Sequence, residues 1–270
     1  MRILARSYLF VPGNRPDRFD KAVASAADAI IVDLEDAVPP ADKPVARATL
    51  ADWLTPSSRV LVRVNGADTE WFADDVALCA HPGVAGVVVP KAESEDHLAY
   101  VASHVASHAM LLPLIESAKG FANGAAVAAA PRVLRILFGS IDFQLDLRMS
   151  VAEAELLFFR LQLVLLSRAA GIAAPVDGVT VEIDDAAVLR DAAAQARRLG
   201  FGGKLCIHPA QTAIVNDAFS PTADEIAWAR RIVAAADAAG GAATAVDGRM
   251  VDKPVILRAQ TILANAGLAA

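Results

Sequence analysis

Eight short runs of apolar, often β-branched residues recur along the chain, each followed by a longer Ala-rich stretch with helical spacing. The runs are Ser7–Val11, Ala29–Asp33, Val60–Asn65, Gly86–Pro90, Met110–Glu116, Leu134–Gly139, Gly178–Ile183 and Lys204–His208. Their apolar character is continuous rather than alternating, which suits strands covered on both faces, as in a parallel sheet. The segments between them are long enough for crossover helices. Val151–Ala170, dense in Leu and Ala, reads as the clearest helix, and Ala125–Ala130 reads as helix too. Eight βα units predict an α/β fold, a closed (β/α)8 or TIM barrel, over residues 1–210. A doubly wound open sheet is the alternative. It usually carries a Gly-rich phosphate loop after its first strand, and Val11-Pro12-Gly13-Asn14-Arg15 is not one.

A C-terminal helical extension, residues 211–270, remains. It holds a helix over Thr222–Ala239, a turn at Gly240-Gly241 and a segment Val246–Leu263. Eight βα units need one closing helix, so this tail is surplus to the barrel. No linker-like stretch marks it as an independent domain, and no internal repeats occur.

Composition narrows the setting. The 270 residues fit one large α/β domain. Hydrophobic residues make up 55% and charged residues 21%, too apolar for a disordered chain. The net charge of -6 is mixed along the chain, without the basic stripe of a nucleic-acid binder. No apolar run reaches membrane-spanning length without a charge or Pro, and the start lacks the features of a signal peptide. Cys79 and Cys206 stand alone, with no zinc or disulfide spacing. A cytoplasmic setting is the simplest expectation.

The ends of the runs carry the chemistry. In a barrel, the C-terminal ends of the strands form the active site. Here they read Asp33-Leu34-Glu35-Asp36, Arg63-Val64-Asn65, Pro90-Lys91, Glu116, Gly139-Ser140-Ile141-Asp142 and His208-Pro209. Glu116 and Asp142 follow long apolar runs on neighbouring strands. Two carboxylates, completed by water and substrate oxygens, are a usual Mg2+ set, whereas Zn2+ calls for His or Cys. The alternative is structural: Glu116 pairs with an Arg or Lys, and Asp142 caps the following helix. The Gly139-Ser140 turn offers backbone N–H groups for a substrate carboxylate, or is an ordinary strand-to-helix turn. Arg63, inside an apolar strand, needs an anion: the substrate, which we favour, or an internal acid such as Glu35 or Asp36. Lys91 fits a network with those acids. His208 reads as a core or turn histidine satisfied by backbone.

With these residues laid out, the chain resembles the citrate lyase β-subunit-like family of the HpcH/HpaI aldolase group. The resemblance runs nearly end to end. It rests on Arg6–Gly13, Asp33-Leu34-Glu35-Asp36, Arg63-Val64-Asn65, Pro90-Lys91, Leu114-Ile115-Glu116-Ser117, Phe138–Asp142, Gly203–Pro209 and Met250–Pro254. It implies a modified TIM barrel assembled as a homotrimer or hexamer. It implies Mg2+ on Glu116 and Asp142, and an oxo-acid carboxylate on Arg63. It also implies cleavage or formation of a citryl, malyl or citramalyl thioester. Asp252, reaching in from a neighbouring subunit, would handle the proton of the acetyl methyl group; without the resemblance it reads as a helix cap ahead of Pro254.

The expected catalytic residues are thus Asp252, Arg63 and Asp36. The expected substrate-binding residues are Arg63, Glu116, Gly139, Ser140 and Asp142. Partners are an oxo acid and a CoA thioester or an acyl carrier protein, with no nucleic acid and no membrane. One departure stands out: the family usually has Asp-Leu-Gly where this chain has Asp146-Leu147-Arg148. A β subunit acting on a carrier-protein thioester inside a larger complex, and a pyruvate or aldehyde aldolase, are the rival readings. The motifs at Gly203–Pro209 and Met250–Pro254 count against the second.

Overall fold

Parallel pairing runs unbroken from the first strand to the eighth and back to the first. A computed structural model describes residues 4–150, 153–240 and 244–268. The barrel strands are β1 (Ser7–Pro12), β2 (Ala29–Asp33), β3 (Val60–Arg63), β4 (Val84–Val89), β5 (Met110–Ile115), β6 (Leu137–Phe138), β7 (Val176–Asp177) and β8 (Gly203–Cys206). The helices among them are α1 (Phe19–Val23), α2 (Lys43–Trp53), α3 (Phe72–Leu78), α4 (Glu95–His104), α5 (Ala118–Ala122), α6 (Gly124–Ala129), α7 (Ser140–Asp146), α8 (Leu157–Ala169), α9 (Ala186–Leu199) and α10 (Pro209–Phe219). The barrel is the one the apolar runs predict.

Inward side chains fill the barrel with an apolar cluster to which each strand contributes, among them Tyr8, Ile31, Leu61, Val88, Leu114, Val176 and Leu205. This is a packed core rather than a pore. At its N-terminal end Arg135 is fully buried. It donates to the carbonyls of Ala174 (2.7 Å) and Ala5 (2.9 Å) and to the Tyr8 hydroxyl (3.1 Å), joining segments that lead into three strands. Helix ends carry the expected signals. Ser94 caps α4, Asp185 caps α9, and Gly200 closes α9 at φ +103°, where a residue with a Cβ is strained.

The seventh strand is a correction. It is Val176–Asp177, not Gly178–Ile183, which is irregular backbone with Val181 and Ile183 exposed. The β-branched run carried the period of a strand, yet buried polar groups set the pairing. Asp177 lies fully buried in an ion pair with Arg160 of α8, and its Oδ2 accepts from Lys204 Nζ on β8 at 2.9 Å. Burial opposes the charged form of Asp177, but Lys204 and Arg160 outweigh it and hold the carboxyl below its usual range. The helix expected over Val151–Ala170 begins as a 3-10 turn, Glu153–Leu156, before α8; Val151 and Ala152 lie outside the described residues.

By its contacts the chain divides into two units, Ala5–Ala218 and a second comprising Met1–Leu4 with Phe219–Ala270. The second holds α11 (Ala223–Ala238), β9 (Thr244–Val246), β10 (Arg249–Val251) and α12 (Lys253–Asn265). A full capping box, Thr222 with Glu225, starts α11. The strands form an antiparallel hairpin, turning at Asp247 (φ +51°) and Gly248 (φ +72°), a favoured pairing for tight hairpins. Ala229, Ile232, Val251, Ala259 and Leu263 form this unit's own core. Of the turn expected at Gly240-Gly241, Gly240 is left-handed (φ +59°) and Gly241 lies outside the described residues.

Candidate active site

A cavity of about 840 Å³ opens at the C-terminal ends of the barrel strands. Arg63, Asp33, Asp36, Glu116, Gly139, Ser140 and Asp142 all line it, as do Phe10, Leu114 and Leu205 from the barrel interior. The volume suits a small organic ligand. Of the strand-end residues singled out above, Glu35, Asn65 and Lys91 are not in this lining; Asp252 belongs to the second unit.

Glu116 follows β5 and is almost wholly buried. Its Oε1 accepts the backbone N–H of Lys91 at 2.7 Å. That N–H is aimed by a left-handed Lys91 (φ +45°), a costly conformation for a residue with a Cβ. No Arg or Lys side chain pairs with Glu116 or Asp142 among the described residues, so the structural alternative for Glu116 does not hold. Burial, with Asp142 adding repulsion, raises the Glu116 carboxyl to about 7. Asp142 is also raised, by burial and by Asp36. It is the third residue of α7, whose cap is the backbone of Gly139, so it does not cap that helix through its side chain. Two carboxylates facing one cavity, neither in an ion pair with an Arg or Lys among the described residues and both raised despite the pull of Arg63, fit a divalent cation, which would relieve both desolvation and mutual repulsion. Among the described residues no group of three His, Cys, Asp or Glu could hold a metal. The pair therefore leaves most of an octahedral shell to water and substrate oxygens.

Gly139 has no room for a side chain. A Cβ there would stand 2.6 Å from Glu116 Cβ and 2.7 Å from its Oε2. Its N–H donates to Ile115 O at 3.0 Å. Among the backbone N–H groups expected in this turn, those of Ser140 and Ile141, which a helix start leaves without an intrahelical partner, are the ones open to an anion.

Arg63 is nine-tenths buried and lies 4.8 Å above the centre of the Phe10 ring. Its Nη1 is 3.0 Å from Glu35 Oε2, without hydrogen-bond alignment, and donates to Asp36 Oδ2 at 3.2 Å. Its main partner is Asp33, through two hydrogen bonds of 2.7 Å and 2.6 Å. Of the three acids crowded into Asp33–Asp36, it is Asp33, rather than the Glu35 or Asp36 offered as examples, that takes the structural pairing. Burial raises the Glu35 carboxyl to about 8 against the pull of Arg63. Lys91 Nζ stands 3.8 Å from Glu35 Oε1, joining the expected network. His208 is exposed, its Nδ1 facing the N–H of Ala210 at 3.3 Å, a turn histidine at the cavity wall.

The sequence reading also missed a basic rim. Arg15, Arg18 and Lys21, three residues apart just past β1, line the cavity mouth. That spacing was the available signal. Asp252 caps α12, its Oδ1 accepting the Val255 N–H at 3.3 Å, the role it has without the resemblance.

The site is thus an acid pair and a buried arginine at the C-terminal mouth of an eight-stranded barrel, the end of this fold where barrel enzymes carry their chemistry. Residues 6–209 match the HpcH/HpaI aldolase/citrate lyase family, and the chain belongs to that family. It is an enzyme of the carbon–carbon lyase class. A citrate lyase subunit beta-like protein of Deinococcus radiodurans is 38% identical, over 97% of each chain. A (3S)-malyl-CoA thioesterase of Cereibacter sphaeroides is 38% identical over 97% of this chain and 94% of its own. Among solved structures, CitE of Mycobacterium tuberculosis in complex with magnesium, acetoacetate and coenzyme A superposes with a TM-score of 0.87. It is 36% identical, with 99% of this chain and 100% of that one covered.

Proposed function

We propose that the chain is a Mg2+-dependent lyase that cleaves, or forms, a 3-hydroxyacyl-CoA of the citryl, malyl or citramalyl type, giving a 2-oxo acid and an acyl thioester. The observation that carries this is the pair of carboxylates, Glu116 and Asp142, which share one cavity with Arg63, stand in no ion pair among the described residues and are both raised by burial. Glu116 and Asp142 hold the metal, which when bound supplies Lewis-acid stabilisation of the developing carbonyl. Arg63 holds the carboxylate of the oxo-acid half. Asp36, the exposed acid on the cavity wall, takes the hydroxyl proton. The carbon–carbon bond then breaks, its electron pair passing to the thioester half as an enolate. Asp252 delivers a proton to that carbon, and is the base in the reverse direction. We place this Asp252 at a neighbouring subunit's barrel, in a homotrimer or hexamer, with the C-terminal extension packing there.

Free CoA rather than a carrier protein is favoured by the basic rim of Arg15, Arg18 and Lys21, which suits phosphate groups. The solved relative in complex with coenzyme A supports it. Among the described residues no helix is long and apolar enough to cross a membrane. Two buried free cysteines agree with a reducing cytoplasm.

The test incubates citryl-, malyl- and citramalyl-CoA with Mg2+ and scores oxo-acid and free CoA separately. Oxo-acid release marks lyase chemistry, whereas free CoA without oxo acid marks a thioesterase and ends the lyase reading. Glu116→Ala and Asp142→Ala are each expected to lose Mg2+ binding, and unchanged affinity in both removes the metal assignment.

A further inference from the structure

Arg63 carries five N–H donors in one plane, and the fold divides them between two edges. One edge is closed. Asp33 accepts from Nε at 2.7 Å and from Nη2 at 2.6 Å, a parallel pair. The same carboxylate accepts the backbone N–H of Glu35 at 2.9 Å and of Ala37 at 3.1 Å. Each oxygen of Asp33 thus takes two hydrogen bonds, and the residue is 1% exposed. Asp33 and Arg63 are direct partners in the β2–β3 ladder, so the backbone sets their separation. The other edge carries no such pair: Glu35 Oε2 lies 3.0 Å from Nη1 without hydrogen-bond alignment. Nη1 makes its one aligned hydrogen bond to Asp36, at 3.2 Å, and the Asp36 side chain is 61% exposed.

We propose that Asp33 is a positioning residue: it locks the inner edge of Arg63 and so presents the Nη1 edge to the cavity, where the oxo-acid carboxylate takes the place of Asp36. The inference rests on Arg63 being the carboxylate-binding cation of the lyase site. The two acids differ in what leaving costs them. Asp36 returns to water it already touches. Asp33 would strand two backbone N–H groups and a buried guanidinium. One acid is therefore permanent and the other exchangeable. Without Asp33 nothing would fix the plane of the guanidinium, and its fork could close on the buried Glu35, already 3.0 Å from Nη1, instead of on the substrate.

The probe is pyruvate, titrated calorimetrically into the full-length protein with saturating Mg2+. Wild type, Arg63→Lys, Asp33→Asn and the double variant are compared, with KM and kcat on whichever thioester is cleaved. Arg63→Lys, which cannot make a two-bond contact, is expected to weaken pyruvate binding about tenfold or more. Asp33→Asn should weaken it comparably, raising KM more than it lowers kcat. The double variant should bind no more weakly than Arg63→Lys alone, because Asp33 acts only through the guanidinium. Losses that multiply in the double variant, or wild-type binding in Asp33→Asn, overturn the proposal. Should Asp33→Asn not fold, Asp33→Glu keeps the charge but moves it by one methylene; binding at wild-type strength there overturns it equally. A wild-type protein that binds no pyruvate overturns the reading of the whole site, and differs from failure of Asp33 alone, in which Arg63→Lys still loses binding.

Discussion

Replacing Gly139 with Ala tests the metal site without touching a ligand. The new methyl carbon would sit 2.6 Å from Glu116 Cβ, about 1 Å inside a comfortable carbon–carbon contact, and 2.7 Å from Oε2. Glu116 has little freedom to yield, because it is buried and its Oε1 is tied to the Lys91 N–H at 2.7 Å. Overpacking of this kind costs about 1–3 kcal/mol. If the strain falls on the position of the carboxylate, Mg2+ affinity drops roughly ten- to hundredfold, at about 1.4 kcal/mol per decade. Isothermal titration with MgCl2 reads this directly. Gly124→Ala is the control: its Cβ would also meet a neighbour at 2.7 Å, but that neighbour is the flexible end of Leu166, remote from the cavity. It should leave Mg2+ affinity unchanged. Gly139→Ala protein that binds Mg2+ as tightly as wild type would refute the reasoning.

Two further outcomes are expected. Asp177→Asn leaves Arg160 and Lys204 buried without their carboxylate, a loss of about 3–5 kcal/mol that a thermal melt would read as a fall of roughly 6–20 °C. Because the folded carboxyl is held below its usual range, its stabilisation is present above the unfolded value of about 3.9 and is lost as pH falls through the lower folded value. Acid unfolding in that window should therefore be less steep in the variant, and an identical pH profile argues against the pair. Asp252→Asn keeps a good N-cap, so melting temperature and Mg2+ affinity should hold while turnover falls at least a hundredfold; turnover at the wild-type rate removes Asp252 from proton transfer.

Strands were legible where burial on both faces wrote a continuous apolar run, as in Ala29–Asp33, whose predicted and observed bounds coincide. Legibility failed where polar groups set the pairing. Val176–Asp177 is too short to carry a pattern, and its acid looks like a loop residue until Arg160 and Lys204 are placed beside it. The acids at the cavity were visible as apolar runs ending in charge. Which acid held Arg63 was not, because the choice among Asp33, Glu35 and Asp36 depends on the β2–β3 register. A residue partner across a ladder leaves no mark in the spacing along one chain.

The barrel wall is uneven. β1 and β2 align over five residue pairs, whereas β6 and β7 share one, Leu137 with Val176. Cooperative opening begins where few ladder bonds must break, so amide exchange should be fastest across this seam. The Gly139–Asp142 turn follows directly from β6. A cation held by Glu116, after β5, and Asp142, after β6, would tie β6 to its other neighbour, where the ladder runs over two residue pairs; its loss would leave β6 weakly held on both flanks, and exchange in β6 should rise before the rest of the barrel responds.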